Sequence, residues 1–229
     1  KNSDKLSAPK LFCGGTCANV AFGLAKLGND VQFYGAIGND IHGKFIKEDM
    51  IKSQINIENL EIIDSINTAM VIGIIDKEGE RSLFVWPPNN AAHSKYSIKD
   101  HQLVNTKKLD WLHVSGISLR EEIVRSSMLK AMKLCFENNI TISFDLNLRI
   151  ELWGLNSELK ATIFEAISYS DFVFGSLNEE FVNIFDSKNI KNEIKNIAHK
   201  DQVFIIRDGP NGSFAYKNNL EYITPAIDI

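Results

Sequence analysis

Residues 111–144, WLHVSGISLREEIVRSSMLKAMKLCFENNITISF, carry the pattern that decides the fold class. The apolar runs at 111–114 and 140–144 each predict a buried strand. Between them, residues 121–138 place apolar side chains at helical spacing, which predicts an amphipathic helix: Val124, Met128, Leu129, Met132 and Cys135. A strand, a helix and a strand in this order form a parallel pair joined by a right-handed crossover.

The same alternation continues downstream of this stretch. Residues 157–169 are predicted to form a helix with Ser157 as its N-cap and with Leu159, Ile163 and Ile167 on one face. Residues 172–174 predict a third strand, a helical stretch runs to about residue 199, and residues 203–206 predict a fourth strand. The sequence therefore predicts an α/β fold with a layered, mainly parallel sheet.

Residues 31–86 have a different, β-rich character. Strands are expected at 31–34, 68–75 and 81–85, and the Gly-containing polar loop 76–80 predicts a hairpin between the last two. We therefore expect an α/β core made of residues 1–30 and 87–229. Residues 31–86 are expected to form a small, mainly β lid with its connecting helix.

Composition excludes several functional classes. The net charge of −4 argues against a nucleic-acid partner, because phosphates demand a basic surface. No apolar stretch is long enough to span a bilayer and no leader opens the chain, so no membrane partner and a cytoplasmic location are expected. The three cysteines, Cys13, Cys17 and Cys135, lack the companions of a zinc site and predict reduced thiols.

Two glycine-rich segments near the start carry the first candidate chemistry. Gly14 and Gly15 precede a helical pattern that contains Asn19, and paired glycines let a backbone approach a ligand closely. Residues 35–43 predict a strand end, a tight turn and a helix start that includes Asp40. Each segment taken alone is also consistent with an ordinary turn.

Together, Gly-Gly-x-x-Ala-Asn, Leu-Gly and Gly-x-x-Gly-x-Asp-x-x-Gly resemble the N-terminal signature of the ribokinase-like (phosphofructokinase-B type) sugar kinases. The resemblance implies a three-layer α/β/α sandwich with a mainly parallel sheet and a small β-sheet lid. It also implies that Gly14, Gly15 and Asn19 contact sugar hydroxyls and that Asp40 lies near the sugar.

Residues 144–153 contain the string Asp-x-Asn-x-Arg-x-x-Leu-Trp at the carboxyl end of a predicted parallel strand, where α/β sheets bind ligands. Asp145, Asn147 and Arg149 alternate, so an extended chain would place all three on one face, although a cluster that only caps the strand would look the same. The string resembles the fructokinase and 2-keto-3-deoxygluconate kinase branch of the family. The resemblance implies that Asn147 binds the sugar, Asp145 a metal ion, and Arg149 the transferred phosphate or a substrate carboxylate.

Two later segments resemble the nucleotide and metal elements of that family. Within residues 175–180, Glu179 stands three residues after Ser176, which implies a carboxylate that organises Mg²⁺ and phosphate. An exposed acidic helix start would look the same. Gly209 and Gly212 resemble the Gly-x-x-Gly turn beside the nucleotide, but a plain hairpin between Ile206 and Phe214 explains them equally well.

The sequence also departs from the family pattern. It has no Gly-Ala-Gly-Asp loop, the segment that carries the catalytic base in these kinases, and residues 1–10 do not read as the expected first strand. The chain is therefore expected to be a kinase domain truncated at both ends. Pro87 stands where the lid of the fructokinase branch usually has a basic residue, and Trp86 is expected to stack on the sugar or to pack the lid.

The resemblance implies transfer of the γ-phosphoryl group of ATP, with Mg²⁺, to a primary hydroxyl of a keto-sugar. Fructose is the first expected substrate and 2-keto-3-deoxygluconate the second, and a homodimer through the lid is expected. The alternatives are a non-catalytic sugar- or nucleotide-binding protein on the same fold and a dinucleotide-binding oxidoreductase. The oxidoreductase is disfavoured because no Gly-x-Gly-x-x-Gly follows a strand.

Overall fold

The computed structural model describes residues 10–106 and 108–227, and the chain divides into two compact units, residues 1–93 and 94–229. The two units are described separately. Among the described residues, no helix has both the length and the apolar content needed to cross a bilayer.

A six-stranded sheet forms the centre of the second unit, in the order β10-β9-β8-β7-β6-β5. Four of its strands are parallel: β5 (Trp111–Ser115), β6 (Thr141–Asp145), β7 (Phe172–Ser176) and β8 (Val203–Arg207). The remaining two, β9 (Ser213–Lys217) and β10 (Leu220–Thr224), are antiparallel. The predicted α/β class with a mainly parallel sheet is confirmed.

Among residues 94–106 and 108–227, six α-helices accompany this sheet: α3 (Asp100–Thr106), α4 (Glu122–Glu137), α5 (Ile150–Trp153), α6 (Ser157–Tyr169), α7 (Val182–Phe185) and α8 (Ile190–Ile197). The expected helix up to residue 199 is wrong as a single element, because Asp186 adopts left-handed backbone angles and separates α7 from α8. Ser157 is also not the N-cap of α6. The side chain of Asn156 caps that helix by accepting a hydrogen bond from the Leu159 amide at 2.8 Å.

One large hydrophobic core holds the second unit together. Its largest fully buried side chains come from the strands and from the segments that follow them, including Phe144, Leu146, Leu148, Phe181 and Phe204. Burial of each such side chain contributes about 1.5–3 kcal/mol. The apolar face of α4 packs into the same core through Met128, Met132 and Cys135, as its spacing predicts.

In the described part of the first unit, residues 10–93, there are two α-helices and two small sheets. Helices α1 (Thr16–Lys26) and α2 (Ile41–Lys52) accompany a parallel pair, β1 (Gly35–Gly38) and β2 (Leu60–Ile63), and an antiparallel pair, β3 (Met70–Ile75) and β4 (Arg81–Trp86). The expected strand at 31–34 is wrong. Gln32 makes only an isolated bridge with Asn56, and the continuous ladder starts at Gly35, the register partner of Leu60.

The predicted hairpin between β3 and β4 is confirmed, and its loop explains why. The Asp76 carboxylate accepts hydrogen bonds from the amides of Glu78 at 3.0 Å and Glu80 at 2.9 Å, and the Asp76 amide donates to the Glu80 carbonyl. An aspartate that bonds backbone amides two to four residues on fixes a tight turn locally.

Helix α1 shares a small core with α2 and its neighbours, built from Ala18, Ala21, Val31, Met50 and Ile55. Residues 10–30 therefore group with residues 31–93 as a compact unit. The assignment of residues 1–30 and 87–229 to a kinase core, with 31–86 as a lid, stays a prediction.

Candidate active site

The carboxyl ends of the parallel strands bring polar side chains to one edge of the sheet. Ser115 and Asp145 are register partners at the ends of β5 and β6, and Ser176 and Arg207 are register partners at the ends of β7 and β8. Parallel strands all end at the same edge, which is where open α/β sheets bind their ligands. The second unit therefore has its candidate site at this edge.

Asp145 is a partly buried carboxylate at this edge. Its Oδ1 atom is buried without a hydrogen-bond partner, and the nearest cation, Arg207, places Nη2 at 3.6 Å. Burial raises the pKa of Asp145, although Arg207, His113 and Arg149 act in the opposite direction. A buried carboxylate oxygen with no hydrogen bond has the free lone pairs that a cation or a ligand hydroxyl would use.

The chain after Asp145 is not extended, so the predicted alternation onto one face is wrong. Asn147 and Arg149 adopt positive φ angles of 34° and 51°. The intervening Leu146 and Leu148 are both fully buried, and the turn lets both leucines enter the core. Asn147 is buried, with Nδ2 at 3.5 Å from the Ser115 hydroxyl, whereas Arg149 is exposed.

Arg149 lines an open cleft of about 380 Å³ together with Ile150, Glu151, Glu179 and Asn183. Asn183 is held in place because its Nδ2 donates to the carbonyls of Asn178 and Glu179, at 3.0 and 2.9 Å. The cleft thus combines one guanidinium with two carboxylates. Arg149 and Glu179, both predicted as site residues, lie in the same cleft.

Glu180 is a carboxylate of this region that the sequence reasoning missed. Leu177–Phe181 forms a π-helical turn that leaves Glu179 exposed and buries Glu180. Glu180 accepts from the Leu148 amide at 2.7 Å and from the Ser176 amide at 2.8 Å, and Arg207 lies 4.0 Å away. Burial raises the pKa of Glu180 and Asp145 adds to this, while the two amides and Arg207 lower it.

No local signal separates Glu180 from Glu179. Successive side chains on an α-helix diverge by about 100°, so two adjacent acids can face different environments, but the pattern does not say which of them faces the sheet. Arg207 was likewise not predicted as a site residue. Its position at the carboxyl end of a parallel strand was the available signal.

Five predicted residues lie in the first unit. Gly14, Gly15 and Asn19 are exposed at the start of α1, and Gly15 adopts the positive φ of 107° that paired glycines allow. Trp86, at the end of β4, is 43% exposed.

Asp40, the fifth of these residues, is already engaged within the first unit. Its carboxylate accepts from the Gly43 amide at 2.7 Å, which caps α2, and from the Thr68 amide and hydroxyl at 2.7 and 2.8 Å. Burial would raise the pKa of Asp40, but these hydrogen bonds outweigh it, so the pKa is lowered. Asp40 therefore ties the start of α2 to the segment before β3.

Gly209 and Gly212 lie in the turn between β8 and β9, a hairpin of antiparallel strands. Both have positive φ, and a side chain on Gly212 would overlap the Thr224 carbonyl oxygen. The local fold alone accounts for a glycine at position 212. The nucleotide-binding role of this turn stays a prediction.

The residues at this edge fit a Mg²⁺–nucleotide complex. Within residues 10–106 and 108–227, no three His, Cys, Asp or Glu side chains cluster in a way that would hold a metal ion. Mg²⁺, however, is usually bound by one or two carboxylates together with substrate phosphates and water. The buried Oδ1 of Asp145 and the cleft carboxylate of Glu179 are the donors that fit this role.

Known proteins resemble this chain in sequence and in structure. It is 33% identical to a fructokinase from Vibrio alginolyticus over 93% of the chain, and 30% identical to a 5-dehydro-2-deoxygluconokinase from Listeria innocua over 90% of the chain. The chain spans 69% and 64% of the lengths of these two relatives, about two thirds in each case.

Fructokinase from Vibrio cholerae O395 has a similar structure. Its apo form matches with a TM-score of 0.77 and 29% identity, covering 93% of this chain and 72% of that one. The form with bound fructose, ADP and calcium ion matches with a TM-score of 0.75 and 25% identity, covering 94% and 69%. The expected ribokinase-like fold class is confirmed by these neighbours.

The family model described as pfkB family carbohydrate kinase matches residues 1–229. Since this match extends over the whole chain, the protein belongs to the pfkB family of carbohydrate kinases.

Proposed function

We propose that the protein is an ATP-dependent kinase that phosphorylates a primary hydroxyl of a keto-sugar, with fructose as its substrate. The observation that carries the proposal is the cleft that Arg149 and Glu179 line together, in the unit whose sheet edge also carries the unpaired Oδ1 atom of Asp145. A guanidinium fork suits the charge of a transferring phosphoryl group. Family membership and the fructokinases among the relatives support the same activity.

The residues take the following roles in this proposal. Arg149 neutralises charge on the transferred phosphoryl group, and Gly209 and Gly212 lie along the nucleotide. The proposed sugar-binding residues are Gly14, Gly15, Asn19, Asp40, Trp86 and Asn147. Asp145 and Glu179 would hold Mg²⁺, which when bound supplies neutralisation of the phosphate charge. Most of the rate acceleration then comes from positioning and charge stabilisation.

The charge of the cleft favours a neutral sugar. Glu151 and Glu179 give the cleft two carboxylates against the one guanidinium of Arg149. Pro87 supplies no charge at the lid position where the fructokinase branch usually has a basic residue. A substrate carboxylate would therefore meet a net negative surface, which disfavours it.

A second candidate is a kinase for an acidic keto-sugar, and the 5-dehydro-2-deoxygluconokinases among the relatives favour it. The expected 2-keto-3-deoxygluconate belongs to the same class, since both acceptors carry a carboxylate. In this alternative Arg149 pairs with that carboxylate.

The test is ADP release by the full-length gene product with ATP and Mg²⁺, comparing fructose, 5-dehydro-2-deoxygluconate, 2-keto-3-deoxygluconate and ribose. Arg149→Ala should lower kcat by about 10²–10³-fold with every accepted sugar if it acts on phosphate. A rise in KM confined to the acidic sugars would assign Arg149 to a substrate carboxylate instead. Arg125→Ala, which removes an arginine paired with Glu158 outside the cleft, is the matched control.

Absence of sugar-dependent turnover on every acceptor would overturn the kinase proposal. If fructose and ATP still bound, as measured by calorimetry, a sugar- and nucleotide-binding protein on the kinase fold would take its place.

We also propose that the hairpin β3–β4 acts as a lid and pairs with a second copy of the chain. Both faces of the hairpin are apolar and exposed: Ile72, Phe84 and Trp86 share one face, and Val71, Leu83 and Val85 share the other. If the Trp86 face meets the sugar, the opposite face is left for the second copy. Val85→Lys should then convert a dimer to a monomer in analytical ultracentrifugation, whereas an unchanged mass would contradict this pairing.

A further inference from the structure

Both backbone polar groups of Leu148, beside the candidate site, are bound by charged side chains. The amide of Leu148 donates to Glu180 Oε1 at 2.7 Å. The carbonyl of the same residue accepts from Arg120, through Nε at 3.2 Å and through Nη2. Hydrogen bonds to ionised groups are roughly twice as strong as neutral ones, so these contacts hold the backbone of Leu148 firmly.

The contacts to Leu148 lie directly before Arg149 in the chain. The Leu148 carbonyl belongs to the peptide bond that links Leu148 to Arg149, so its orientation sets the backbone of Arg149. Arg149 has a φ of 51°, in the left-handed region that arginine rarely adopts. Arg120 Nη2 also lies 3.3 Å from the Gly154 carbonyl, at the far end of the short helix α5. Arg120 therefore spans the whole loop that carries Arg149.

The π-helical turn Leu177–Phe181 supplies the other side of the cleft through Glu179. Glu180 is 5% exposed and does not line the cleft, whereas its neighbour Glu179 does. Glu180 is anchored a second time through the Ser176 amide at the end of β7. The distance between the guanidinium of Arg149 and the carboxylate of Glu179 thus depends on Glu180, which joins the two segments.

We propose that Glu180 and Arg120 are positioning residues that hold the backbone amide and carbonyl of Leu148 and thereby fix Arg149 in the cleft. Neither residue is a catalytic residue, since they act through Arg149. The part of this inference that concerns turnover rests on the proposed kinase function. The part that concerns the loop does not.

The first experiment measures the loop without any ligand. Hydrogen–deuterium exchange of the full-length protein is followed for peptides covering residues 145–154 in Glu180→Ala, Arg120→Ala and the control Arg125→Ala. The first two variants should speed exchange in this segment about tenfold or more, because a charge-assisted hydrogen bond is lost. Residues 157–169 of these two variants, and residues 145–154 of Arg125→Ala, should exchange at the wild-type rate.

The second experiment separates positioning from a general structural effect by a double-mutant cycle. Arg120→Ala should lower kcat/KM at least tenfold in the wild-type background but less than twofold in an Arg149→Ala background, where no Arg149 remains to be positioned. Arg120→Lys, which keeps the charge but loses the fork, should recover only part of the loss.

Two outcomes would overturn the inference. One is wild-type exchange at residues 145–154 in both Glu180→Ala and Arg120→Ala. The other is an Arg120→Ala loss of equal size in the two backgrounds, which indicates a structural role independent of Arg149. If the wild-type protein lacked kinase activity, the proposed function would fail and the exchange experiment alone would decide the inference.

Discussion

The sheet of the second unit and the hairpin of the first unit use similar apolar residues in opposite ways. Phe144 on β6 is fully buried, whereas Phe84 on β4 is 55% exposed. Most large apolar side chains of β3 and β4 are exposed on both faces of the hairpin. Ile142, Phe144, Val173, Phe204 and Ile206 of β6, β7 and β8 are instead buried in one core. The sheet buries its apolar surface within its own unit. An isolated two-stranded hairpin is only marginally stable in water, so the hairpin depends on what covers it.

The largest expected effect comes from deleting the same aromatic ring in each region. Phe144→Ala should lower the free energy of unfolding by about 3–5 kcal/mol, since it leaves a cavity in the core. Phe84→Ala should change it by less than about 0.5 kcal/mol in dilute solution. Urea denaturation followed by circular dichroism measures both. A Phe84→Ala loss that grows with protein concentration would show that a second copy covers the hairpin.

A smaller effect is expected from adding one methyl group to a glycine in each region. A side chain on Gly116 would overlap the Leu146 carbonyl oxygen, so Gly116→Ala should cost about 1–3 kcal/mol. At Gly73, in β3, the added carbon would lie 3.5 Å from Leu83 Cδ2, an ordinary contact. Gly73→Ala should therefore be neutral or stabilising by up to about 1 kcal/mol. Equal losses in thermal melts of the two variants would contradict this difference in packing.

The helix caps of the two units should differ in their response to pH. Asp40→Ala and Asn156→Ala should each lower the free energy of unfolding by about 1 kcal/mol near neutral pH, because each side chain caps a helix. The folded pKa of Asp40 is lowered, so its contribution is complete above the unfolded pKa of about 3.9 and is lost as pH falls below it. The loss of unfolding free energy caused by Asp40→Ala should thus shrink in acid, while the loss caused by Asn156→Ala persists. Parallel pH dependence of the two losses would refute this assignment.

The smallest effect is expected at the surface of the second unit. Arg125 and Glu158 form an ion pair of 2.7 Å, with the Glu158 side chain 71% exposed. Arg125→Ala should lower the free energy of unfolding by at most about 1 kcal/mol, and by less at high salt, because salt screens exposed ion pairs. Denaturation at low and high salt measures this loss. A loss comparable to that of Phe144→Ala would mean that the unit depends on its surface charges and not on its core.

The fold of the second unit could be predicted because its signals are local and periodic. The strands at β5–β8 and the helices α4 and α6 were located within one or two residues by spacing alone. The turn of residues 147–149 was missed because nothing local forces it. Leu148 bonds Glu180, a residue 32 positions downstream, and only the folded sheet brings the two together.

Two adjacent glutamates show most clearly what could not be predicted from the sequence. The family resemblance selected Glu179, and the fold places it in the cleft, but the same fold buries Glu180, which anchors the Arg149 loop. Alternating apolar and polar residues by themselves determined the α/β class, the hairpin and the edge of the sheet where the polar residues gather. Only the tertiary structure decided which carboxylate is buried and how Arg149 is held, because these depend on hydrogen bonds between segments that are distant along the chain.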